Sequence, residues 1–169
     1  MKTWMDSSIN DAVSYADNLF GKSYCYYLEE SKADIVCAFT VSNASIFTKY
    51  LPNARKKKVG KHVPHIKQDL IYPAVLIGRL GISTKFLHLH IGTEVIDFIK
   101  SWFVEPYNKT GCRYLVVDAY NEDVPVAFYK KNGFDFMFST EEQEKSYRGI
   151  VSDKPLKTRL MYFDLILIK

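Results

Sequence analysis

The segment 87–92 is the first place in this sequence where residue types and spacing could do chemistry. It joins a predicted strand to a predicted helix, and it reads Leu87-His88-Leu89-His90-Ile91-Gly92. A helix N-terminus presents backbone N–H groups that have no partner within the helix, and it carries a partial positive charge. A preceding loop that turns its own N–H groups inward completes a cradle for phosphate. The segment therefore predicts an anion site at the start of the helix.

Histidine side chains in and near this loop allow a second interpretation. The four histidines of the chain are His62, His65, His88 and His90. Two closely spaced pairs are compatible with metal ligation, but neither pair has a cysteine or a carboxylate directly beside it to complete a ligand set. The sequence therefore predicts no metal site. The imidazoles of His88 and His90 could instead donate hydrogen bonds to a phosphate.

Positive charge is concentrated in one part of the chain. Residues 51–69 hold six of the 23 basic residues and one acidic residue. The basic members include Arg55, Lys56, Lys57, Lys58 and Lys61. Such a run is typical of contact with phosphates, on a cofactor or on RNA. It is equally typical of a solvated loop, and the sequence leaves both interpretations open.

Two further side chains have both a structural and a chemical interpretation. Tyr129 lies among Phe128, Phe134 and Phe136, a pattern that by itself favours a core tyrosine. Asn121 precedes a predicted helix and has the chemistry of a helix cap. The residues alone do not assign either side chain to a reaction.

The cysteines argue against thiol chemistry. They are Cys25, Cys37 and Cys112, an odd set without metal-ligand spacing, and they predict free thiols in a reducing compartment. Cys112 has no base beside it, so a nucleophilic role is not predicted.

The composition is typical of one globular domain, predicted here over residues 1–169. Of the 169 residues, 47% are hydrophobic and 15% are aromatic, which is enough for a sizeable core. No apolar run approaches the ~20 residues of a membrane helix, and the N-terminus lacks the apolar stretch of a signal peptide. These features predict a cytoplasmic protein that does not bind a membrane, and they argue against secreted and disulfide-rich classes.

The elements that position the candidate residues follow from hydrophobic period and turn residues. Predicted helices cover 9–19, 92–103 and 124–131. Predicted strands cover 23–29, 35–41, 74–82, 113–119, 134–138 and 156–168. Two polar segments, 51–69 and 139–156, are predicted as loops. This order predicts an α/β or α+β domain with a mixed sheet.

Two blocks of the sequence resemble one known family. Arg79-Leu80-Gly81-Ile82 ends a predicted strand, and Gly92 follows it at the spacing of a phosphate-loop glycine. The second block begins at Asp118-Ala119-Tyr120-Asn121 and ends with Phe128-Tyr129-Lys130-Lys131-Asn132-Gly133-Phe134. Both are similar to the GNAT (GCN5-related N-acetyltransferase) family, whose second block contains Phe-Tyr-x-x-x-Gly-Phe. The resemblance covers essentially the whole chain.

The resemblance implies a fold and an activity. The implied fold is a mixed central sheet of about six to seven strands flanked by about four helices, with two central parallel strands splayed apart. The implied activity is direct transfer of the acetyl group of acetyl-CoA to an acceptor amine, without a metal.

The resemblance also implies roles for named residues. The pantetheine arm would pair with the strand end at Leu80, Gly81 and Ile82. The pyrophosphate would lie on the loop and the helix start, at Leu87, His88, Leu89, His90, Ile91, Gly92 and Thr93. Asn121 and Phe128 would border the thioester. Tyr129 would protonate the departing thiolate, since a phenol with a pKa of about 10 is protonated at neutral pH.

The phosphate loop departs from the family pattern. Leu87, His88 and His90 stand where the family usually has glutamine and glycines, and glycine lets the backbone turn N–H groups onto a phosphate. A histidine still offers its backbone N–H, although its Cβ restricts the backbone. The alternative to an active enzyme is therefore a non-catalytic CoA-binding or interaction domain with a degenerate loop.

Within the family, the segment 72–80 is most similar to the acetyltransferases of bacterial toxin–antitoxin modules. It reads Tyr-Pro-Ala-Val-Leu-Ile-Gly-Arg-Leu. This resemblance implies that the acceptor is aminoacyl-tRNA or another primary amine. It implies tRNA contact through Arg55, Lys56, Lys57, Lys58 and Lys61. It also implies an antitoxin or a second copy of the chain as a protein partner.

Overall fold

The computed structural model describes residues 12–64, 71–108 and 110–169. The helices within these ranges are α1 (12–17), α2 (Asn53–Val59), α3 (Ile91–Val104), α4 (Asp123–Lys131) and α5 (Glu141–Arg148). The strands are β1 (Lys22–Leu28), β2 (Ser31–Phe47), β3 (Ile71–Ile82), β4 (Tyr114–Tyr120), β5 (Asp135–Phe136) and β6 (Thr158–Asp164). No helix in these ranges is both long and apolar enough to cross a membrane.

The six strands form one sheet in the order β1-β2-β3-β4-β6-β5. β1 pairs with β2 antiparallel, and β6 pairs antiparallel with both β4 and β5. The mixed α/β architecture predicted from the sequence is confirmed, with five helices in the described ranges where about four were expected. The splay between two central strands stays a prediction.

The described residues fall into two compact units. The first unit comprises 12–43 and 76–99, and the second comprises 44–64, 71–75, 100–108 and 110–169. The chain passes from one unit to the other within β2, within β3 and within α3. The assignment of residues 1–169 to a single domain stays a prediction.

The core of the first unit is built on the β1–β2 hairpin and on α3. Tyr24 stands opposite Phe39 in the hairpin register, and their rings stack at 5.3 Å between centroids. In α3, Val95, Ile96 and Ile99 are buried. These are the positions that the period of 3.6 residues assigns to one helix face, so the predicted amphipathic helix is confirmed.

The core of the second unit is centred on β4. Four consecutive residues of this strand, Tyr114 to Val117, are buried. Such a continuous run is typical of a strand that is covered on both faces. On the neighbouring strand β6, Met161 stands opposite Val117 in the register and is also fully buried.

The segment 51–69, predicted as a loop, contains helix α2. Leu51 before the helix and Val59 at its end are buried, while the basic residues occupy the positions between them. The Tyr114 hydroxyl donates a hydrogen bond of 2.7 Å to the Val59 carbonyl. The prediction of an extended loop was therefore wrong, because two buried apolar residues hold this polar segment on the core. His65 and Lys67 lie outside the described residues.

The segment 139–156, also predicted as a loop, contains helix α5. The Thr140 hydroxyl accepts a hydrogen bond from the Gln143 N–H at 3.3 Å, and Gly149 ends the helix with φ 67°. The residue that α5 buries completely is a carboxylate, Glu144. The polar composition did not predict this helix, because the helix packs on the rest of the unit through a buried charge rather than through apolar side chains.

Other predicted boundaries shifted more modestly. β2 extends over 17 residues, well beyond the predicted 35–41. β5 has two residues and β6 ends at Asp164, where a 3-10 helix follows, so the strands predicted at 134–138 and 156–168 were too long. The predicted first helix is seen over 12–17, and residues 9–11 of the prediction lie outside the described residues.

Candidate active site

The start of the loop between β3 and α3 is held against β2. The Ser83 N–H donates to the Val36 carbonyl at 2.9 Å, and the Phe86 N–H donates to the Ser83 carbonyl at 2.9 Å. The Lys85 ammonium forms an ion pair of 2.7 Å with Asp34, and this contact lowers the pKa of the Asp34 carboxyl. The loop therefore leaves the sheet from a fixed position.

The two histidines of the loop adopt the backbone conformation that glycine normally supplies. His88 has φ 64° and His90 has φ 61°. The left-handed region costs an L residue about 1–2 kcal/mol, although histidine enters it more readily than most side chains. The loop therefore takes left-handed turns at two positions occupied by histidine, where glycine would do so without strain.

The first turn of α3 leaves backbone donors unused. The His90 carbonyl accepts from the N–H groups of Thr93 at 2.9 Å and Glu94 at 3.2 Å. Within the described ranges, the N–H groups of Ile91 and Gly92 have no hydrogen-bond acceptor. Residues 87–90 are exposed. Free donors at a helix N-terminus beside an exposed, left-handed loop are suited to an anion such as a phosphate.

The three residues predicted to contact the pantetheine arm lie at the end of β3. Leu80, Gly81 and Ile82 are half-buried. Just before them, a Cβ on Gly78 would lie 2.8 Å from the Thr40 hydroxyl oxygen. That oxygen accepts the backbone N–H of Arg79 at 3.0 Å. Glycine at 78 thus permits the close approach between strands that a glycine inside a strand indicates.

Tyr129 lies on α4 with its hydroxyl unpaired. Its ring packs edge-on against Phe128 and Phe134, with centroids at 5.1 Å and 5.5 Å. Within the described part of the chain, the hydroxyl makes no hydrogen bond. Burial raises the pKa of Tyr129 to about 12. The phenol is therefore a proton donor throughout the neutral range.

Asn121 ends β4 and is held by its side chain. Its amide nitrogen donates to a Glu141 carboxylate oxygen at 2.8 Å and to the Leu156 carbonyl at 2.9 Å. It does not cap α4, whose N-cap is Glu122 and makes no side-chain capping bond. Asn121 and Phe128 are both half-buried. Their predicted position beside a thioester stays a prediction.

Two residues of the basic run, Arg55 and Lys58, contact other residues of the second unit. Arg55 donates through Nε to the Met137 carbonyl at 2.8 Å and through Nη2 to the Phe136 carbonyl. Lys58 forms an ion pair of 2.9 Å with Asp135. Lys57 and Lys61 are exposed and Lys56 is half-buried. A role of the basic run in RNA contact stays a prediction. Lys56, Lys57 and Lys61 are the residues best suited to it.

Arg55 should therefore affect stability more than its lysine neighbours do. We expect Arg55→Ala to lower the free energy of unfolding by about 1.5–3 kcal/mol, because hydrogen bonds from a charged donor to two carbonyls are lost. The control Lys57→Ala should stay within about 0.5 kcal/mol of the parent. Urea denaturation measures both, and equal losses in the two variants would contradict the assignment.

Thiols and metal ligands do not add a second centre within the described ranges. The Cys112 thiol donates to the Tyr114 carbonyl at 3.2 Å, and burial raises its pKa to about 11. Almost none of it is thiolate at neutral pH, so Cys112 is a poor nucleophile. Among the described residues, no three His, Cys, Asp or Glu side chains are placed to hold a metal ion.

The left-handed conformation of His88 and His90 predicts how substitutions there should change the affinity for acetyl-CoA. We expect the double variant His88→Gly/His90→Gly to bind acetyl-CoA at least as tightly as the parent, because glycine removes the backbone strain and the Cβ. We expect His90→Val to bind about tenfold more weakly, because a β-branched residue resists this region. Calorimetric titration measures both. Weaker binding by the glycine variant would instead assign a direct imidazole contact.

Comparison with solved structures shows which proteins share this fold. AtaT complexed with acetyl-methionyl-tRNAfMet matches with a TM-score of 0.66 and 17% identity, over 95% of this chain and 80% of that chain. A tyrosine-to-phenylalanine mutant of KacT matches with a TM-score of 0.59 and 17% identity, over 96% and 84%. A tyrosine-to-phenylalanine mutant of the AtaT toxin was solved bound to the C-terminus of the antitoxin AtaR and acetyl-CoA. It matches with a TM-score of 0.54 and 16% identity, over 92% of this chain and 75% of that chain.

Sequence comparison adds no further relative: no protein-family model and no curated protein matches the chain. The likeness is therefore one of structure. At identities of 16–17% in these three structures it establishes the fold. The predicted resemblance to toxin-type GNAT acetyltransferases is confirmed at that level.

Proposed function

We propose that this protein is an acetyl-CoA-dependent N-acetyltransferase. The observation that carries the proposal is the loop before α3. His88 and His90 adopt left-handed turns, and within the described residues the N–H groups of Ile91 and Gly92 that follow have no acceptor. The shared fold adds support, since one solved structure of that fold holds acetyl-CoA.

The first unit would bind the CoA moiety. Leu80 and Ile82 would offer backbone groups to the amides of the pantetheine arm, with Gly81 between them. The backbone N–H groups from Leu87 to Thr93 would bind the pyrophosphate, helped by the positive end of α3. His88 and His90 would take part through their backbone N–H groups, since both adopt the left-handed conformation of the loop.

Tyr129 is the candidate donor of the proton for the leaving group. Acetyl-CoA provides an acetyl group activated as a thioester, which an unprotonated amine can attack. The amine nitrogen would form its bond to the acetyl carbon as the C–S bond breaks. Tyr129 would donate its hydroxyl proton to the leaving sulfur, and the proton that the amine releases would pass through solvent, from which the phenol regains its own. Its raised pKa keeps the proton on the phenol until the sulfur leaves, and within the described residues no hydrogen bond competes for that proton. Asn121 and Phe128 would border the thioester.

The acceptor and partners are proposed from the fold relatives. One of them, AtaT, was solved with acetyl-methionyl-tRNAfMet, and it supports aminoacyl-tRNA as the acceptor here. Three lysines of the basic run would contact tRNA phosphates: the exposed Lys57 and Lys61, and the half-buried Lys56. The AtaR antitoxin bound to AtaT supports an antitoxin as a partner, with a second copy of the chain as the other candidate.

Calorimetric titration with acetyl-CoA tests the proposal directly. We expect one binding event per chain, weakened strongly when acetyl-pantetheine replaces acetyl-CoA, because the truncated molecule lacks the pyrophosphate. Transfer of radiolabelled acetyl to aminoacyl-tRNA or to a small amine then tests catalysis. Absence of acetyl-CoA binding would overturn the proposal. Binding without transfer to any amine would favour the non-catalytic CoA-binding domain.

The salt dependence of tRNA binding separates the two acceptor classes. Each phosphate contact releases counterions, so affinity for tRNA should fall steeply with salt. Neutralising Lys56, Lys57 and Lys61 should flatten that dependence. Unchanged tRNA binding in this variant, with acetyl transfer to small amines intact, would assign a small-amine acceptor.

A further inference from the structure

The Asn121 side chain has a defined orientation at the end of β4. Its amide group faces two groups that only accept hydrogen bonds, a Glu141 carboxylate oxygen at 2.8 Å and the Leu156 carbonyl at 2.9 Å. Only the amide nitrogen, which carries two hydrogens, satisfies both of them. The backbone N–H of Asn121 also donates to the Lys157 carbonyl, at 3.0 Å. The residue is therefore held at its backbone and at its side chain.

Glu141 is the centre of this arrangement. One of its oxygens accepts the Asn121 amide, and the other accepts the Leu156 N–H at 2.7 Å. These hydrogen bonds lower the pKa of the Glu141 carboxyl, the Leu156 bond most. The carboxylate also lies in the first turn of α5, where a negative charge is favoured. Glu141 therefore stays ionised at neutral pH and accepts from both donors.

The consequence is a free acceptor on Asn121. Because the amide nitrogen is bound to Glu141 and Leu156, the carbonyl oxygen Oδ1 is turned away from them. Within the described residues, this oxygen has no hydrogen-bond partner and is not fully buried. A preoriented acceptor that makes no contact in the free protein is available to a ligand N–H at little entropic cost.

We propose that Glu141 is a positioning residue, which holds Asn121 so that its carbonyl oxygen accepts an amide N–H of the bound thioester substrate. The proposal rests on the proposed acetyltransferase function. Glu141 itself would not touch the substrate. Its effect would pass through the orientation of the Asn121 amide.

The proposal depends on the difference between glutamate and glutamine at this position. A glutamine side chain offers one acceptor oxygen and one NH₂ group. In Glu141→Gln, one of the two donors, the Asn121 amide or the Leu156 N–H, would face that NH₂ group. The Asn121 amide then loses its single favoured orientation, and its nitrogen can turn toward the substrate N–H.

A double-mutant cycle tests this with acetyl-CoA titrations. We expect Glu141→Gln to weaken acetyl-CoA binding about tenfold, the value of one hydrogen bond between substrate and protein. Asn121→Ala should weaken it by a similar factor. If Glu141 acts through Asn121, Glu141→Gln should add no further loss in the Asn121→Ala background. KM for acetyl-CoA should rise in parallel, with kcat less affected.

Glu142→Gln is the matched control on the same helix. Glu142 is exposed and makes no contact with Asn121, so this variant should bind acetyl-CoA as the parent does. A purely structural role for Glu141 would lower the melting temperature and leave affinity unchanged below the transition.

Three results would overturn the proposal: unchanged affinity in Glu141→Gln, equal weakening in Glu142→Gln, or additive losses in the double variant. A parent protein that does not bind acetyl-CoA would overturn the proposed function and this inference together. Parent binding that is insensitive to Glu141→Gln would overturn this inference alone.

Discussion

Replacement of Tyr129 by phenylalanine is expected to lower acetyl-transfer turnover by about 10²- to 10⁴-fold. The hydroxyl of Tyr129 makes no hydrogen bond within the described residues, so its removal should cost almost no stability. The ring contacts with Phe128 and Phe134 are kept, so acetyl-CoA affinity should also be kept. The loss should appear in kcat and kcat/KM alike, because the proton is given only in the transition state.

Tyr114→Phe is the matched control for this experiment. The Tyr114 hydroxyl donates to the Val59 carbonyl, so its removal leaves a buried acceptor without its donor. This variant should lose about 1 kcal/mol of stability and none of its turnover. The Tyr129 variant should therefore lose turnover and keep its stability, whereas the Tyr114 variant should lose stability and keep its turnover. Melting curves and initial rates measure both quantities.

The pH dependence of the Tyr129→Phe effect follows from the raised pKa. Burial raises the pKa of Tyr129 to about 12, so the phenol keeps its proton on the alkaline side of neutrality. The ratio of parent to variant turnover should therefore be the same at about pH 7 and about pH 9. Parent-like turnover in the phenylalanine variant would withdraw the assignment of Tyr129.

Glu144→Gln is expected to be the most destabilising substitution in the second unit, by about 3–5 kcal/mol. Glu144 is completely buried. Its carboxylate accepts from Arg148 at 2.6 Å, from Arg159 at 2.8 Å and from the Leu160 N–H at 2.7 Å. Neutralising it leaves the buried Arg159 guanidinium without its countercharge. A loss of this size is a large part of the stability of an ordinary domain.

Arg148 extends this cluster to β4, where it pairs with Asp118 at 2.7 Å. The ions therefore tie α5 to β4 and β6 together. Denaturant unfolding should show the loss in Glu144→Gln. Glu142→Gln, exposed on the same helix, should stay within about 0.5 kcal/mol of the parent. A small effect at Glu144 would mean that α5 is held by other contacts.

The candidate site was predictable where local pattern decides it. The loop before α3 was recognised because a helix start has fixed chemistry, and the helix followed from the period of Val95, Ile96 and Ile99. The block around Tyr129 was recognised by its resemblance to a family. Neither kind of signal requires knowledge of distant contacts.

The buried contacts of α5 were missed for a physical reason. Glu141 and Glu144 lie in a segment whose polar composition predicted a loop, and their partners other than Arg148 are 15 to 20 residues distant in sequence. A signal for the helix was present in the spacing of Thr140 and Gln143, which form a capping interaction of the kind that opens helices. Which charges the helix would bury could not be inferred from that spacing.

The sequence by itself determined the α/β class, the principal strands, and helices α3 and α4, and it singled out the loop before α3 as the proposed anion site. It did so because periodicity, caps and glycine stops act over a few residues. The tertiary structure decided the rest. It showed that His88 and His90 keep left-handed turns, that Arg55 serves the interior, and that α5 is held by buried ions. These outcomes depend on contacts between segments far apart in the chain, where burial sets the cost of each unpaired charge and of each strained residue.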